Sequence, residues 1–270
     1  MEDIRKPVVA GYFYPGVKNQ LIRLLKEFIP EEKNKEKVTA IISPHAGYVY
    51  SGRVAGLTYS KVVIPQTVII LGPNHTGYGE PYAVANHKKW ETPLGEVELD
   101  MEIVESLTKK SRYLVEDNIA HEREHSIEVQ VPFIQHIRKD VKIVPIVLSG
   151  VPDNPAWVEI GEDIAETINE NKKEVLIVAS TDMTHYESQK MAETKDKYAL
   201  EAIFSLDEDT LIDRIFEKNI SMCGYAPVIV SMISSKNLGA KEGILVNYST
   251  SGDTSGDYES VVGYAGVIIK

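Results

Sequence analysis

One repeated pattern limits what this chain can fold into. Short runs of β-branched and other apolar residues, at 38–42, 67–71, 142–148, 175–179, 244–248 and 261–269, are separated by stretches with helical spacing. Apolar strands that alternate with helices predict a mostly parallel sheet covered on both faces. Leu21, Leu24, Leu25 and Phe28 mark a first amphipathic helix that Pro30 ends. Further helices are expected from Ser51 to about Lys61, from about Asp100 to Lys110 with Ile103, Val104 and Leu107 on one face, and near 155–170, 189–204, 208–218 and 225–236. Neither an internal repeat nor a linker divides the 270 residues, so the expectation is one domain over 1–270: an α/β sandwich with a mostly parallel central sheet. The segment STSGDTSGD from Ser249 to Asp257 lacks the acidic spacing of a calcium loop and reads as a surface connection.

The composition is 43% apolar and 26% charged, as in an ordinary globular protein. No apolar run is long enough for a bilayer and no signal pattern stands at Met1-Glu2-Asp3, so a cytoplasmic protein without a membrane partner is expected. A formal charge of -11 argues against a nucleic-acid partner, because affinity for phosphate backbones comes from clustered Lys and Arg. The single cysteine, Cys223, excludes an internal disulfide.

Ligands of open α/β sheets bind outside the carboxyl ends of the strands, and three of the runs deliver polar side chains there. The run at 38–42 leads into Ser43-Pro44-His45-Ala46-Gly47, the run at 67–71 into Gly72-Pro73-Asn74-His75, and the run at 175–179 into Ser180-Thr181-Asp182-Met183-Thr184-His185. With parallel strands, His45, His75, Asp182 and His185 share one sheet edge. Cys223 falls in a turn between two helices and, on its own, reads as a buried structural thiol. His121-Glu122-Arg123-Glu124-His125 matches the H-E-x-x-H pattern of zinc proteases, which needs both imidazoles on one continuous helix. Glu116-Asp117-Asn118 before it and Pro132 after it favour a loop instead, entering a helix whose apolar face holds Ile127, Val131 and Ile134. Gly77 and Gly79 form no dinucleotide fingerprint, there is no phosphate-binding loop or nucleophile elbow, and His87 and His136 read as solvated.

In this order, Pro7 to Pro15 (PVVAGYFYP), Pro44 to Tyr48 (PHAGY), Gly72 to His75, Glu124 to Glu128 (EHSIE), Ser180 to Asp182 with His185, and Cys223-Gly224 resemble the Memo family across nearly the whole chain. The resemblance implies a fold like that of class III extradiol dioxygenases of the protocatechuate 4,5-dioxygenase beta-subunit type. It also implies that His45, His75 and Cys223 are metal ligands and that Asp182, His185, Glu124 and His125 lie near the pocket. His121 is not part of the family block. The dioxygenases complete a 2-His-1-carboxylate set, whereas a cysteine stands here, and thiolate favours copper(I), zinc or iron in another electronic state.

Three functions follow as expectations. The first is iron- or copper-dependent, dioxygenase-like redox chemistry on an unknown small molecule, with His185, oriented by Asp182, as acid or base and His125 with Glu124 as a second pair or a support. The second is zinc-dependent hydrolysis with the same cluster. The third is binding of a peptide or protein without catalysis, as for eukaryotic members of the family. The family's prokaryotic setting, the AmmeMemoRadiSam system, implies a radical SAM protein as a partner.

Overall fold

The computed structural model describes residues 3–150 and 155–270; Met1 and Glu2, where a signal pattern was sought, lie outside them. In chain order the elements are β1 (Ile4–Arg5), α1 (Lys18–Phe28), β2 (Ala40–Ser43), α2 (Tyr48–Lys61), β3 (Thr67–Pro73), β4 (Tyr82–Val84), β5 (Lys89–Thr92), β6 (Gly95–Leu99), α3 (Met101–Lys110), β7 (Val115–Glu116) and α4 (Ile119–Glu122). A 3-10 turn at Glu128–Gln130 leads into α5 (Val131–Ile137). There follow β8 (Lys142–Leu148), α6 (Pro155–Asn171), β9 (Val175–Ser180), β10 (His185–Glu187), α7 (Gln189–Phe204), α8 (Glu208–Glu217), α9 (Tyr225–Asn237), β11 (Gly243–Thr250), α10 (Gly252–Ser255) and β12 (Val261–Ile269).

The centre of the sheet is four parallel strands in the order β8-β3-β9-β2. Antiparallel β12 continues it beyond β2, and β11 pairs in turn with β12. The central strands are buried along almost their whole length because helices cover both faces. Successive side chains alternate between the two layers. Ile42, Ile69, Leu71, Val144 and Ile177 pack with α3, α6, α7, α8 and α9. Their neighbours Ile41, Val68, Ile70, Ile143 and Val178 pack with α1, α2 and α5. Each fully buried Ile or Leu is worth roughly 1.5–3 kcal/mol of burial, so these runs fix the strands and the level at which each one ends.

The fold is the expected single-domain α/β sandwich with a mostly parallel centre. Helix α2 starts at Tyr48, one turn before its expected start, and the expected connection at 249–257 contains the last residues of β11 and the short α10. The short strands β1, β4, β5, β6, β7 and β10 carry no long apolar run in the sequence; they form by pairing at the sheet margins. No helix among the described residues is long and apolar enough to cross a membrane. His87 and His136 are half-buried rather than solvated.

Candidate metal centre

Because β2, β3 and β9 run parallel and adjacent, residues just past their ends meet. His45 lies two residues past the end of β2, His75 two past β3 and Asp182 two past β9. His125 joins them from the segment before the 3-10 turn. The imidazoles of His45, His75 and His125 can each offer one ligand atom such that all three atoms lie within 4.8 Å of one another. His75 and His125 stack with ring centroids 4.8 Å apart, and His45 stands edge-on to both. His45 is buried, His125 is partly exposed and His75 is the most exposed of the three, so the cluster has a closed floor and an accessible mouth.

Local bonds decide which ring nitrogen each imidazole presents. The Glu124 side chain is only 1% exposed, and burial alone would raise its carboxyl; the His75 hydrogen bond and the imidazoles of His75 and His125 instead bring it down to about 2. As a carboxylate it only accepts: its Oε1 lies 2.9 Å from Nδ1 of His75, and its Oε2 accepts the His75 backbone N–H at 2.7 Å. His75 therefore carries its proton on Nδ1, and its Nε2 is a free donor for a metal, the arrangement common around zinc-bound histidines. The same Oε1 lies 3.5 Å from Nδ1 of His125, a longer contact. Glu124 is thus foremost a partner of His75. Burial, reinforced by the charges of His75 and His125, holds His45 well below the ordinary histidine range, so it is neutral and able to ligate.

Cys223 stands beside this trio, its Sγ 3.2 Å from Nε2 of His45. Gly224 sets its position: a Cβ there would lie 2.3 Å from the Ser180 carbonyl oxygen, and the Gly224 N–H donates to Thr181 Oγ1 at 2.9 Å. Only glycine allows the start of α9 to sit so close to the end of β9. The sulfur accepts the Asp182 N–H at 3.3 Å; burial, with Asp182 nearby, pushes the thiol up. Burial also pushes the Asp182 carboxyl up, against hydrogen bonds that include one from the His45 backbone N–H at 2.8 Å.

One expectation needs correction, and the reading of the H-E-x-x-H stretch as a loop stands. Asp182 does not orient His185. Nδ1 of His185 lies 2.9 Å from the Ser221 carbonyl oxygen, which can only accept, so the Nδ1 proton is committed there and Nε2 faces away from that bond. The Asp182 carboxylate instead bonds the loop that carries His45. The H-E-x-x-H match is not a zinc motif, because α4 stops at Glu122 and the two histidines part. His121 is fully buried with Nε2 against the Ala83 carbonyl oxygen, and burial holds it down to about 3. The alternative reading holds: Glu124 and His125 lie in the loop before the 3-10 turn and α5, and Ile127, Val131 and Ile134 are buried.

A family model described as Memo-like protein matches residues 5–268. The MEMO1 family protein of Methanosarcina barkeri (strain Fusaro / DSM 804) is 42% identical over 269 residues, covering 99% of this chain and 100% of that protein. That of Archaeoglobus fulgidus is 45% identical over 267 residues, again 99% and 100%, and that of Aquifex aeolicus (strain VF5) 45% over 271 residues, 98% of each. Among solved structures, an uncharacterized protein from Escherichia coli K12 shares the fold with a TM-score of 0.52 at 14% identity, covering 86% of this chain and 100% of that one. The ordered histidine and cysteine loops thus sit in a chain that matches the family from end to end, and the chain belongs to the Memo-like protein family.

Proposed function

We propose that His45, His75 and Cys223 hold an iron or copper ion, with His125 at its side, and that the protein carries out redox, dioxygenase-like chemistry on a small molecule admitted through the mouth formed by His75 and His125. The observation that supports this reading is the convergence of three imidazoles with ligand atoms within 4.8 Å and a thiol 3.2 Å from the deepest of them. The donor set fits such an ion: neutral imidazole and thiolate suit copper(I), zinc and iron, and a carboxylate-rich cage for magnesium or calcium is not what converges here. When bound, the ion supplies Lewis-acid and one-electron chemistry at positions the protein leaves open.

The chain's own residues have separable tasks. Burial keeps His45 uncharged, and Glu124 aims Nε2 of His75. Cys223 ligates as thiolate and so must give up the proton that burial otherwise retains. His185, with Nδ1 committed to Ser221, offers Nε2 to receive a substrate proton.

The test is metal content by plasma mass spectrometry on protein purified anaerobically from iron- and copper-supplemented cells, beside Cys223→Ser. Near-stoichiometric iron or copper that falls in the variant supports the proposal. Absence of both metals from both proteins refutes it. A second reading draws on the trio itself, since three imidazoles with one open position suit zinc-dependent hydrolysis. Stoichiometric zinc that survives Cys223→Ser and is lost in His125→Ala would favour it.

A further inference from the structure

His75 is aimed by Glu124, yet among the described residues no carboxylate receives the outer nitrogen of His45. Its Nδ1 lies 3.0 Å from Ser180 Oγ, inside a network of fully buried groups. The protons of that network can be assigned one by one. Ser180 has one hydroxyl proton and two acceptor sites, and three neighbours. The Ser126 carbonyl, 2.7 Å away, can only accept. Nε2 of Gln130, 2.8 Å away, can only donate. The orientation of the Gln130 amide is fixed independently: its Nε2 also lies 2.9 Å from the Pro44 carbonyl oxygen, while its Oε1 accepts the Tyr59 hydroxyl at 3.0 Å. Turning the amide over would set its oxygen against the oxygens of Pro44 and Ser180. The Ser180 proton therefore goes to Ser126, the Gln130 amide takes one acceptor site, and the only role left for Nδ1 of His45 is donor.

We infer that Ser180 and Gln130 are positioning residues that lock His45 with its proton on Nδ1, so that its Nε2 lone pair faces Cys223 and the metal position. This deepens the proposed metal site and rests on it for its consequence, though not for the proton placement itself. A buried histidine has two neutral forms, and the wrong one would put an N–H where a ligand lone pair is needed. The same amide bonds the Pro44 carbonyl next to His45, so one side chain from the 3-10 turn sets both the place and the form of the ligand. Loss of an outer partner of a metal-bound histidine typically lowers metal affinity 10–100-fold.

The experiment uses full-length protein labelled with nitrogen-15 in histidine: the wild type, Ser180→Ala, Ser180→Thr and Gln130→Met. His45→Gln assigns the signals. Imidazole nitrogen shifts of the metal-free protein report the form of His45, and chelator competition reports affinity for iron(II), copper(I) and zinc. The expected result is an Nδ1-protonated His45 in the wild type and in Ser180→Thr, and mixed forms with affinity weaker by about 10–100-fold in Ser180→Ala and Gln130→Met. An Nε2-protonated His45 in the metal-free wild type overturns the inference, and so does an affinity within twofold of wild type in both Ser180→Ala and Gln130→Met. If the wild type binds none of the three metals more tightly than His45→Gln does, the metal reading fails, and the nitrogen shifts still decide the proton placement.

Discussion

Removing the Glu128 carboxylate tests how the N-terminal segment is held to the loop that carries His125. Glu128 and Arg5 form a buried ion pair, 2.8 Å apart, with side chains only 1% and 2% exposed. The carboxylate also accepts the Tyr14 hydroxyl at 2.7 Å and the N–H groups of Val8 and Val9. Arg5 stacks over Trp90 and donates to the carbonyl oxygens of His121 and Glu124, both at 2.7 Å. In Glu128→Leu the guanidinium keeps its carbonyls and loses its counter-charge, while Val8 and Val9, at partly exposed positions, can turn to water. Breaking one side of a buried pair costs about 3–5 kcal/mol, and the Tyr14 hydroxyl adds a further unpaired donor. With an unfolding entropy of about 2.1 cal/mol/K per residue, a loss of about 4 kcal/mol over a chain of this length lowers Tm by roughly 7 °C. Arg5→Leu should cost a similar amount. The double variant should cost clearly less than the two together, because it strands no charge. Scanning calorimetry at neutral pH measures all three. A drop below about 2 °C in Glu128→Leu, or costs that simply add, would refute the reasoning.

Glu124→Gln keeps the shape but can turn an amide N–H toward Nδ1 of His75; metal affinity in chelator competition should fall by about 10–100-fold with little change in fold. Gly224→Ala drives a Cβ into the Ser180 carbonyl, so α9 must shift and carry Cys223 away from His45. We expect a cost of about 1–3 kcal/mol in thermal melts and a change in any sulfur-to-metal absorption band; an unchanged band and melt would count against the close approach. His121, ordinarily near 6.5, is held down to about 3 by burial and then by Arg5, so the unfolded chain binds the extra proton. Its contribution is complete above pH 6.5 and is lost as pH falls from there toward 3, amounting to about 2 kcal/mol by pH 5. His121→Phe should flatten denaturant-measured stability over that window, and an unchanged slope would show that His121 is not buried neutral.

The central fold was legible because two covered faces force continuous apolar runs, as in Thr67 to Leu71, and those runs name the strands whose ends matter. His45, His75 and Asp182 could be placed for that reason alone. The rest depends on contacts with no periodic trace. Strand β10 at His185 forms by pairing with β12, and His185 meets Ser221 across 36 residues of sequence. Gln130 follows a family block without being part of it, and nothing in its neighbours says that its amide reaches Pro44 and Ser180. His121 and His125 look alike in sequence; only the end of α4 between them sends one into the core and the other to the imidazole cluster.

His45 and Cys223 face each other across 178 residues of chain, and His75, His125 and Asp182 come from loops in between. No fragment of the protein holds the donor set proposed above, so the unfolded chain would offer an ion only scattered, weak donors. Binding of the proposed ion would then draw on the folding equilibrium itself: at a free metal concentration 100 times Kd the native state would gain about 2.7 kcal/mol. The melting temperature in buffers of graded metal activity would therefore read out occupancy of the proposed site, and a cell short of that ion would hold a larger unfolded fraction of this protein for its proteases to clear.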